Sequence, residues 1–271
     1  MLANNNEAII NKLAKNSVKT NKKQYAILFF TIILSAFMLF CVFTIGMTYL
    51  DSSRLQNTRL NGAEYDILTM NGFTSEQLNT LRQNENIRSV GIESYAGFIQ
   101  STEYDKTVEI GLLWCDEVFW DNLMSPARTK LDGHYPQNKN ELMVTKDILK
   151  TCGNENLSVG DSLILTYENN TGVYTDEFII SGIWDGYGDT SAGFVSKAFY
   201  DETGYDLKND GILCIKLNRN YVFPATIQSI EKSLDFSDRQ IFAPTGYIEN
   251  SFKLLLGICG LALVICLSAY L

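Results

Sequence analysis

Apolar positions in this chain collect in two runs. Ala26 to Leu50 (AILFFTIILSAFMLFCVFTIGMTYL) is 25 residues without a charge, and Leu254 to Leu271 (LLLGICGLALVICLSAYL) is 18 more. A helix needs about 20 apolar residues to cross roughly 30 Å of hydrocarbon, so the pattern predicts membrane helices at 25–50 and 251–271. A cleavable signal peptide has a shorter apolar core, about 7 to 15 residues, followed by a small-x-small site. The first run instead ends in Met47-Thr48-Tyr49-Leu50-Asp51 and reads as an uncleaved anchor.

Ahead of the first run, residues 7–23 (EAIINKLAKNSVKTNKK) set Ile10, Leu13, Ala14 and Val18 three or four apart with lysines between. That spacing predicts a short amphipathic helix with a basic polar face, suited to the inner surface of a membrane.

Between the runs the period changes. A polar connector is expected at Asp51–Glu64, then strands at Tyr65–Met70, Ile87–Val90, Tyr95–Gln100 and Thr107–Trp114. Ser75 is placed as the N-cap of a helix SEQLNTLRQN, and a second helix near Glu117–Leu123 ends before Pro126. Leu131–Asn140 reads as loop. Glu141–Thr145 is a short strand and Lys146–Cys152 a helix closed by Gly153. Strands follow at Ser162–Tyr167, Phe178–Trp184 and Ile212–Leu217, with a Gly-rich loop at Asp185–Gly193 and a helix at Ala225–Leu234. Short strands alternating irregularly with helices predict an α+β domain over residues 51–250. The expected fold class is a membrane protein in which transmembrane α-helices flank an α+β extracytoplasmic domain.

Charge sets the expected orientation. Lys12, Lys15, Lys19, Lys22 and Lys23 precede the first run against one acid, Glu7. By the positive-inside rule this places residues 1–24 in the cytoplasm and the chain as a multi-pass protein of the plasma membrane. Residues 51–250 hold 16 Lys and Arg against 30 Asp and Glu, a net charge of −14. So acidic a domain is unsuited to nucleic acid.

Little chemistry is on offer. There is no G-x-x-x-x-G-K-[ST] for nucleotide phosphate, no G-x-S-x-G, and a single histidine, His134, in a Gly/Pro loop. Cys115, Cys152 and Cys214 lie outside the two runs, an odd number at wide spacing, so neither a disulfide framework nor a zinc site is expected. The acid pairs Asp116-Glu117 and Asp176-Glu177 read as solvated faces. The loop Asp185-Gly186-Tyr187-Gly188-Asp189-Thr190 has two acids four apart, but lacks the ligand spacing of a calcium loop. Most of the aromatic residues between the runs, a set that includes Trp114, Trp120 and Trp184, are expected in the core, with some around Tyr187–Tyr200 free to face a partner or a lipophilic ligand. No catalytic, cofactor-binding or metal-binding residue is assigned, and no enzyme activity is expected.

One stretch has a recognisable order. Gly133, Pro136, Asn140-Glu141, the strand Leu142–Thr145, Val159-Gly160-Asp161, and a strand closing on Gly182-Ile183 stand in sequence at residues 131–183. This order resembles the extracytoplasmic domain of FtsX/MacB-type ABC transporter permeases, as does the basic amphipathic segment followed by a long span and a large outer domain. The residues named are fold markers of the resemblance, not a catalytic set. The resemblance implies a permease subunit, or its N-terminal part. Its partners would be a separate ATPase subunit, a second permease copy or half, and the lipid bilayer, with no cofactor on this chain. Ile10 and Leu13 would be the face that couples to the ATPase. It also implies further spans beyond the second, so that this sequence is expected to be either a fragment of a longer permease or a truncated one. A second class, a two-span sensor whose outer domain binds a small ligand, fits the same layout.

Overall fold

The computed structural model describes residues 7–100, 110–187, 192–219 and 222–270. The chain divides into two compact units, Met1–Asp51 with Lys253–Leu271, and Ser52–Phe252.

In the first unit, α1 (Glu7–Thr20) is followed by α2, which runs Lys22–Asn61. The backbone bonds Asn21 N to Ser17 O (2.9 Å) and Tyr25 N to Asn21 O (3.1 Å) carry helical pairing across the bend at Asn21. α2 therefore continues through the segment expected as a polar connector; its last residues are polar, but they hold helix geometry. The last helix, at Gly246–Tyr270, and α2 are both long and apolar enough to cross a membrane. The two meet at Gly46, where an added Cβ would lie 2.7 Å from Ile258 Cγ1. Only the absence of a side chain lets the helices approach so closely.

The second unit holds, in order, β1 (Ile67–Met70), α3 (Ser75–Gln83), β2 (Ile87–Ile99), β3 (Ile110–Cys115), a π-helical turn (Val118–Leu123), a 3-10 turn (Ser125–Ala127) and β4 (Arg128–Gly133). It continues with β5 (Glu141–Thr145), α4 (Lys146–Thr151), β6 (Ser162–Asn169), β7 (Gly172–Gly186), β8 (Ala192–Val195), α5 (Lys197–Tyr200) and α6 (Leu207–Asp210). β9 (Ile212–Leu217), α7 (Pro224–Lys232) and β10 (Ile241–Pro244) complete it before the last helix, α8.

Strand order explains the architecture. The β1-α3-β2 and β9-α7-β10 segments pair antiparallel in the order β10-β1-β9-β2, a split βαβ arrangement of the ferredoxin-like kind. Everything between β2 and β9 is an insertion that starts from the far end of β2. There β2 pairs β3, β3 pairs β8, β8 pairs β5, β5 pairs β7, β7 pairs β6, and β6 returns to β2 at Phe98 and Ile99. Six strands thus close into a small barrel, which covers most of their edges. β6 shows the pattern required of a barrel wall: Leu163, Leu165 and Tyr167 point in and are buried, while Ser162, Ile164, Thr166 and Glu168 point out. Ile67, Leu81, Ile215 and Ile230 fill the ferredoxin-like lobe, and Leu112, Leu142, Val144, Phe178 and Ile180 the barrel, in one continuous core. A second apolar cluster, with Cys115, Trp120, Met143, Trp184, Phe194 and Cys214, occupies the opposite side of the same strands.

The fold class is as expected: an α+β domain flanked by two helices of membrane-spanning character. Local details differ. The strands expected at Ile87–Val90 and Tyr95–Gln100 are one strand, bent by a register shift between Tyr95 and Gly97. Thr74, not Ser75, caps α3: its hydroxyl accepts from Gln77 N (3.1 Å) while the Gln77 side chain accepts from Thr74 N (2.9 Å), a reciprocal capping box. The first residues of the expected Leu131–Asn140 loop belong to β4, held by pairing with β7. In the loop expected at Asp185–Gly193, Asp185 and Gly186 end β7, Ala192 and Gly193 begin β8, and residues 188–191 lie outside the described residues, as do 107–109 of the Thr107–Trp114 strand.

Candidate functional site

A cleft of about 580 Å³ opens beside the π-helical turn. Trp114, the last barrel-facing residue of β3, stacks on Tyr200 with ring centres 5.1 Å apart. Its neighbour Cys115 faces the opposite side and enters the second cluster. The chain then turns, and the turn is built on Asp116. One carboxylate oxygen accepts from Phe119 N and Ile92 N, each at 2.9 Å, and Trp120 N donates to the Asp116 carbonyl (3.0 Å). The Met124 N to Phe119 O bond (2.8 Å) spans five residues, the signature of a π-turn, a feature frequent at functional sites. Asp116 is therefore not the solvated acid expected from sequence. Burial raises its pKa, offset by the two backbone donors and by Arg82 at 4.0 Å. Of the other acid pair, Asp176 accepts from the Tyr167 hydroxyl at 2.7 Å.

The turn carries Trp120 against Tyr135 (5.0 Å) and Phe194 (5.4 Å), with the Arg128 guanidinium 4.3 Å over its ring. The Tyr135 hydroxyl accepts from Cys115 N at 3.0 Å and lies 3.3 Å from the Val195 carbonyl; burial pushes its pKa well up. On the other wall the Lys197 ammonium stands 5.2 Å from the Trp114 ring and 5.0 Å from Tyr200, and pairs with Asp201 one turn on. Glu117 and Asp121 stand exposed at the rim. No sequence motif marks this cleft, although two tryptophans and three acids within Trp114–Asp121 are the signal that could have done so.

Behind the cleft, Glu93 of β2 lies in register with Cys115 on β3 and Ile212 on β9. Burial pushes its carboxyl up to about 7. Tyr65, Tyr135, Cys115 and Cys214 are near enough to feel its charge, and burial raises each of them as well. A buried thiol pushed upward is a poor nucleophile. Among the described residues no group of three or more His, Cys, Asp and Glu side chains is placed to hold a metal ion.

The residues singled out by sequence converge on one stretch of β7. Gly133 (φ 86°) ends β4 with its α-carbon against Ser181 O, and His134 N donates to that same oxygen at 2.9 Å. Pro136 is buried in the following loop, while His134 is exposed. Asn140 O accepts from Ile179 N (2.8 Å), and Glu141 is in register with Ile179. The Glu141 carboxylate sits partly desolvated, yet the N–H groups of Gln137 (2.7 Å) and Asn138 (3.1 Å) and the Asn138 amide hold its pKa below the ordinary value. Gly160 N donates to Ile180 O, and Ile180 N donates to Asp161 O, both at 2.9 Å. The Asp161 carboxylate accepts from Ser158 N (2.8 Å), and Val159 lies partly exposed at the tip. Gly182 has Met143 Cε, His134 O and Asp132 O within 3.1 Å of where a Cβ would sit. These contacts are architectural: two loops are fastened to residues 179–182.

Ile10 and Leu13 are 61% and 64% exposed on α1, alongside Ile9 and Val18 and between Lys12, Lys15 and Lys19. Of the loop weighed as a calcium site, Gly188, Asp189 and Thr190 lie outside the described residues; Asp185 accepts from Gly186 N at 2.9 Å. Within Tyr187–Tyr200, Phe194, Phe199 and Tyr200 are core, and Tyr187 is exposed with the Arg59 guanidinium 4.2 Å over its ring.

No family model matches the chain, and no curated protein matches it. Solved structures that resemble it include the periplasmic region of MacB from Actinobacillus actinomycetemcomitans, at 12% identity over 71% of this chain and 95% of that one, TM-score 0.45. A domain of a putative permease protein from Porphyromonas gingivalis has 9% identity over 67% and 89% of the two chains, TM-score 0.42. The extracellular domain of the noncanonic ABC-type transporter YknZ from Gram-positive bacteria has 12% identity over 66% and 98%, TM-score 0.42.

Proposed function

We propose that the chain is a permease subunit, or the N-terminal part of one, of an ABC transporter. Residues 1–24 would lie in the cytoplasm and the acidic domain outside, and a separate ATPase subunit would move the outer domain through the first span. A second permease copy or half would complete the assembly. The observation that carries this reading is α1: a helix with Ile9, Ile10, Leu13 and Val18 exposed among lysines, directly ahead of a helix with 25 uncharged residues. An exposed apolar stripe flanked by cations suits both a membrane surface and a docking partner on it. The order of Gly133, Pro136, Asn140-Glu141 and Val159-Gly160-Asp161 supports the same kind of protein.

Two measurements test the reading. With the six native cysteines replaced, Glu7→Cys should resist an impermeant thiol reagent in intact cells and Asn170→Cys should react; the reverse pattern overturns the orientation. Ile10→Asp with Leu13→Asp removes about 1.5–3 kcal/mol of apolar burial per side chain at any docked partner. Co-purification of a P-loop ATPase from the native cell should fall in that variant. Repeated recovery of a kinase or cyclase, with no ATPase, would favour a sensor.

A further inference from the structure

We propose that the cleft between the π-helical turn and β3 is a binding site for organic cations that carry an aromatic or bulky apolar body. The inference stands on the Ser52–Phe252 unit alone and does not depend on the transporter reading. Three observations carry it.

The first is the wall. Trp114, Trp120 and Tyr135 line the cleft, and aromatic faces attract cations through their quadrupoles. The protein shows this at the site with its own residues: Arg128 lies 4.3 Å over Trp120, and Lys197 lies 5.2 Å from Trp114.

The second is the charge that remains. Lys197 is already paired with Asp201, outside the cleft lining. Asp116 has its backbone donors and the distant Arg82. Glu117 and Asp121 are exposed at the rim, and among the described residues neither forms an ion pair. The lining carries three carboxylates against one ammonium, and with the Arg128 guanidinium over Trp120 and near Asp121 counted the balance is three to two, so a cation is still the complementary guest.

The third is size and rigidity. About 580 Å³ is the volume of a small-molecule site, and a largely preformed one. The floor is fixed, because Asp116 ties the turn to β2 and the Tyr135 hydroxyl ties the β4–β5 loop to β3. A preformed pocket spends little ordering entropy on its guest. Bare ammonium ions lack the apolar body that the indoles would cover, and anions would meet the rim carboxylates.

The test uses the full chain in phosphatidylcholine nanodiscs and its own fluorescence, since two of its three tryptophans, Trp114 and Trp120, line the cleft. Three probes of like shape are titrated: benzyltrimethylammonium, the neutral isostere neopentylbenzene, and the phenylmethanesulfonate anion. A saturable change is expected with the cation and not with the anion, and the neutral compound should bind at least tenfold more weakly. Glu117→Gln with Asp121→Asn, near-isosteric changes at two exposed positions, should weaken cation binding about tenfold while the melting temperature stays unchanged. Equal affinity for the neutral and cationic probes, unchanged affinity in the double variant, or no saturable response to the cation in the unaltered chain would each overturn the proposal.

Discussion

The Lys216 ammonium stands 3.2 Å from the Asp66 carboxylate, with 5% and 2% of the two side chains exposed. Lys216 also reaches Glu64 at 3.3 Å, and Glu64 in turn faces Arg54 at 3.7 Å. Asp66 further accepts from Leu217 N (2.8 Å), and its backbone joins Ile215 and Thr245. The ion pair joins the entry to β1 with strand β9, and the backbone of Asp66 adds the segment leading out of β10.

Removing one partner should cost more than removing both. Lys216→Met leaves Asp66 buried without a counter-ion, a loss of about 3–5 kcal/mol. Asp66→Asn with Lys216→Met should recover much of it. Thermal unfolding of the two variants measures the difference, and a double variant less stable than the single one would contradict the account.

Stability should fall as pH rises from about 5 to 8. The Glu93 carboxyl holds its proton to about 7 when folded, against an ordinary 4.5. Between those values the folded chain binds more protons than the unfolded one, so rising pH favours unfolding, by at most roughly 3 kcal/mol. Asp66 and Asp116, also raised by burial, add the same sign at lower pH, whereas Glu141, held low, opposes them there. Glu93→Gln should flatten the melting temperature against pH across 5–8; parallel profiles would remove Glu93 as the source.

Two glycines of the sequence pattern should respond very differently to alanine. At Gly133, with φ 86°, a Cβ would sit 2.2 Å from Ser181 O, so strain and overlap add. The expected loss is about 3 kcal/mol or more. At Gly160, with φ 95°, a Cβ meets nothing within 4 Å. Only backbone strain remains there, about 1 kcal/mol. Equal shifts in melting temperature would show that the approach of β4 to β7 is not what requires Gly133.

The two long helices should be joinable by a disulfide. Ile258 Cγ1 and Cγ2 lie 2.7 and 3.3 Å from the Cβ position of Gly46, which brings the two β-carbons within the roughly 3.5–4.5 Å a disulfide spans. Gly46→Cys with Ile258→Cys, in a background without native cysteines, should cross-link within one chain on mild oxidation, while Gly46→Cys with Leu263→Cys should not. A cross-link of equal yield in both pairs would mean the helices do not pack at Gly46.

Much of this protein was legible in local pattern. The two apolar runs, the amphipathic α1, and strands such as Glu141–Thr145 and Ile212–Leu217 follow from which neighbouring positions are apolar, because helix and strand periods are written over a few residues. The short β8 and β10 are not legible in the sequence, since a strand of four residues is too brief to show a period and is held by its partners. β4, with nearly every residue exposed, has no alternation to read and exists because β7 pairs with it.

What the sequence determined by itself was the class of each segment: two runs fit for a membrane, a basic helix before the first, and an acidic α+β domain between them. These depend on composition and on spacings of two to four residues. The closing of six strands into a barrel was decided only in the tertiary structure, because it rests on β6 reaching back to Phe98 and Ile99 of β2, a pairing some seventy residues apart along the chain. The same is true of the cleft. Trp114 and Trp120 read as core residues in sequence, and they are largely buried. It took the π-turn capped by Asp116, with Tyr135 and Lys197 arriving from elsewhere in the chain, to assemble them with Glu117 and Asp121 around a common space. Long-range register is set by the sum of many weak packing and hydrogen-bonding terms, and no short window of sequence contains that sum.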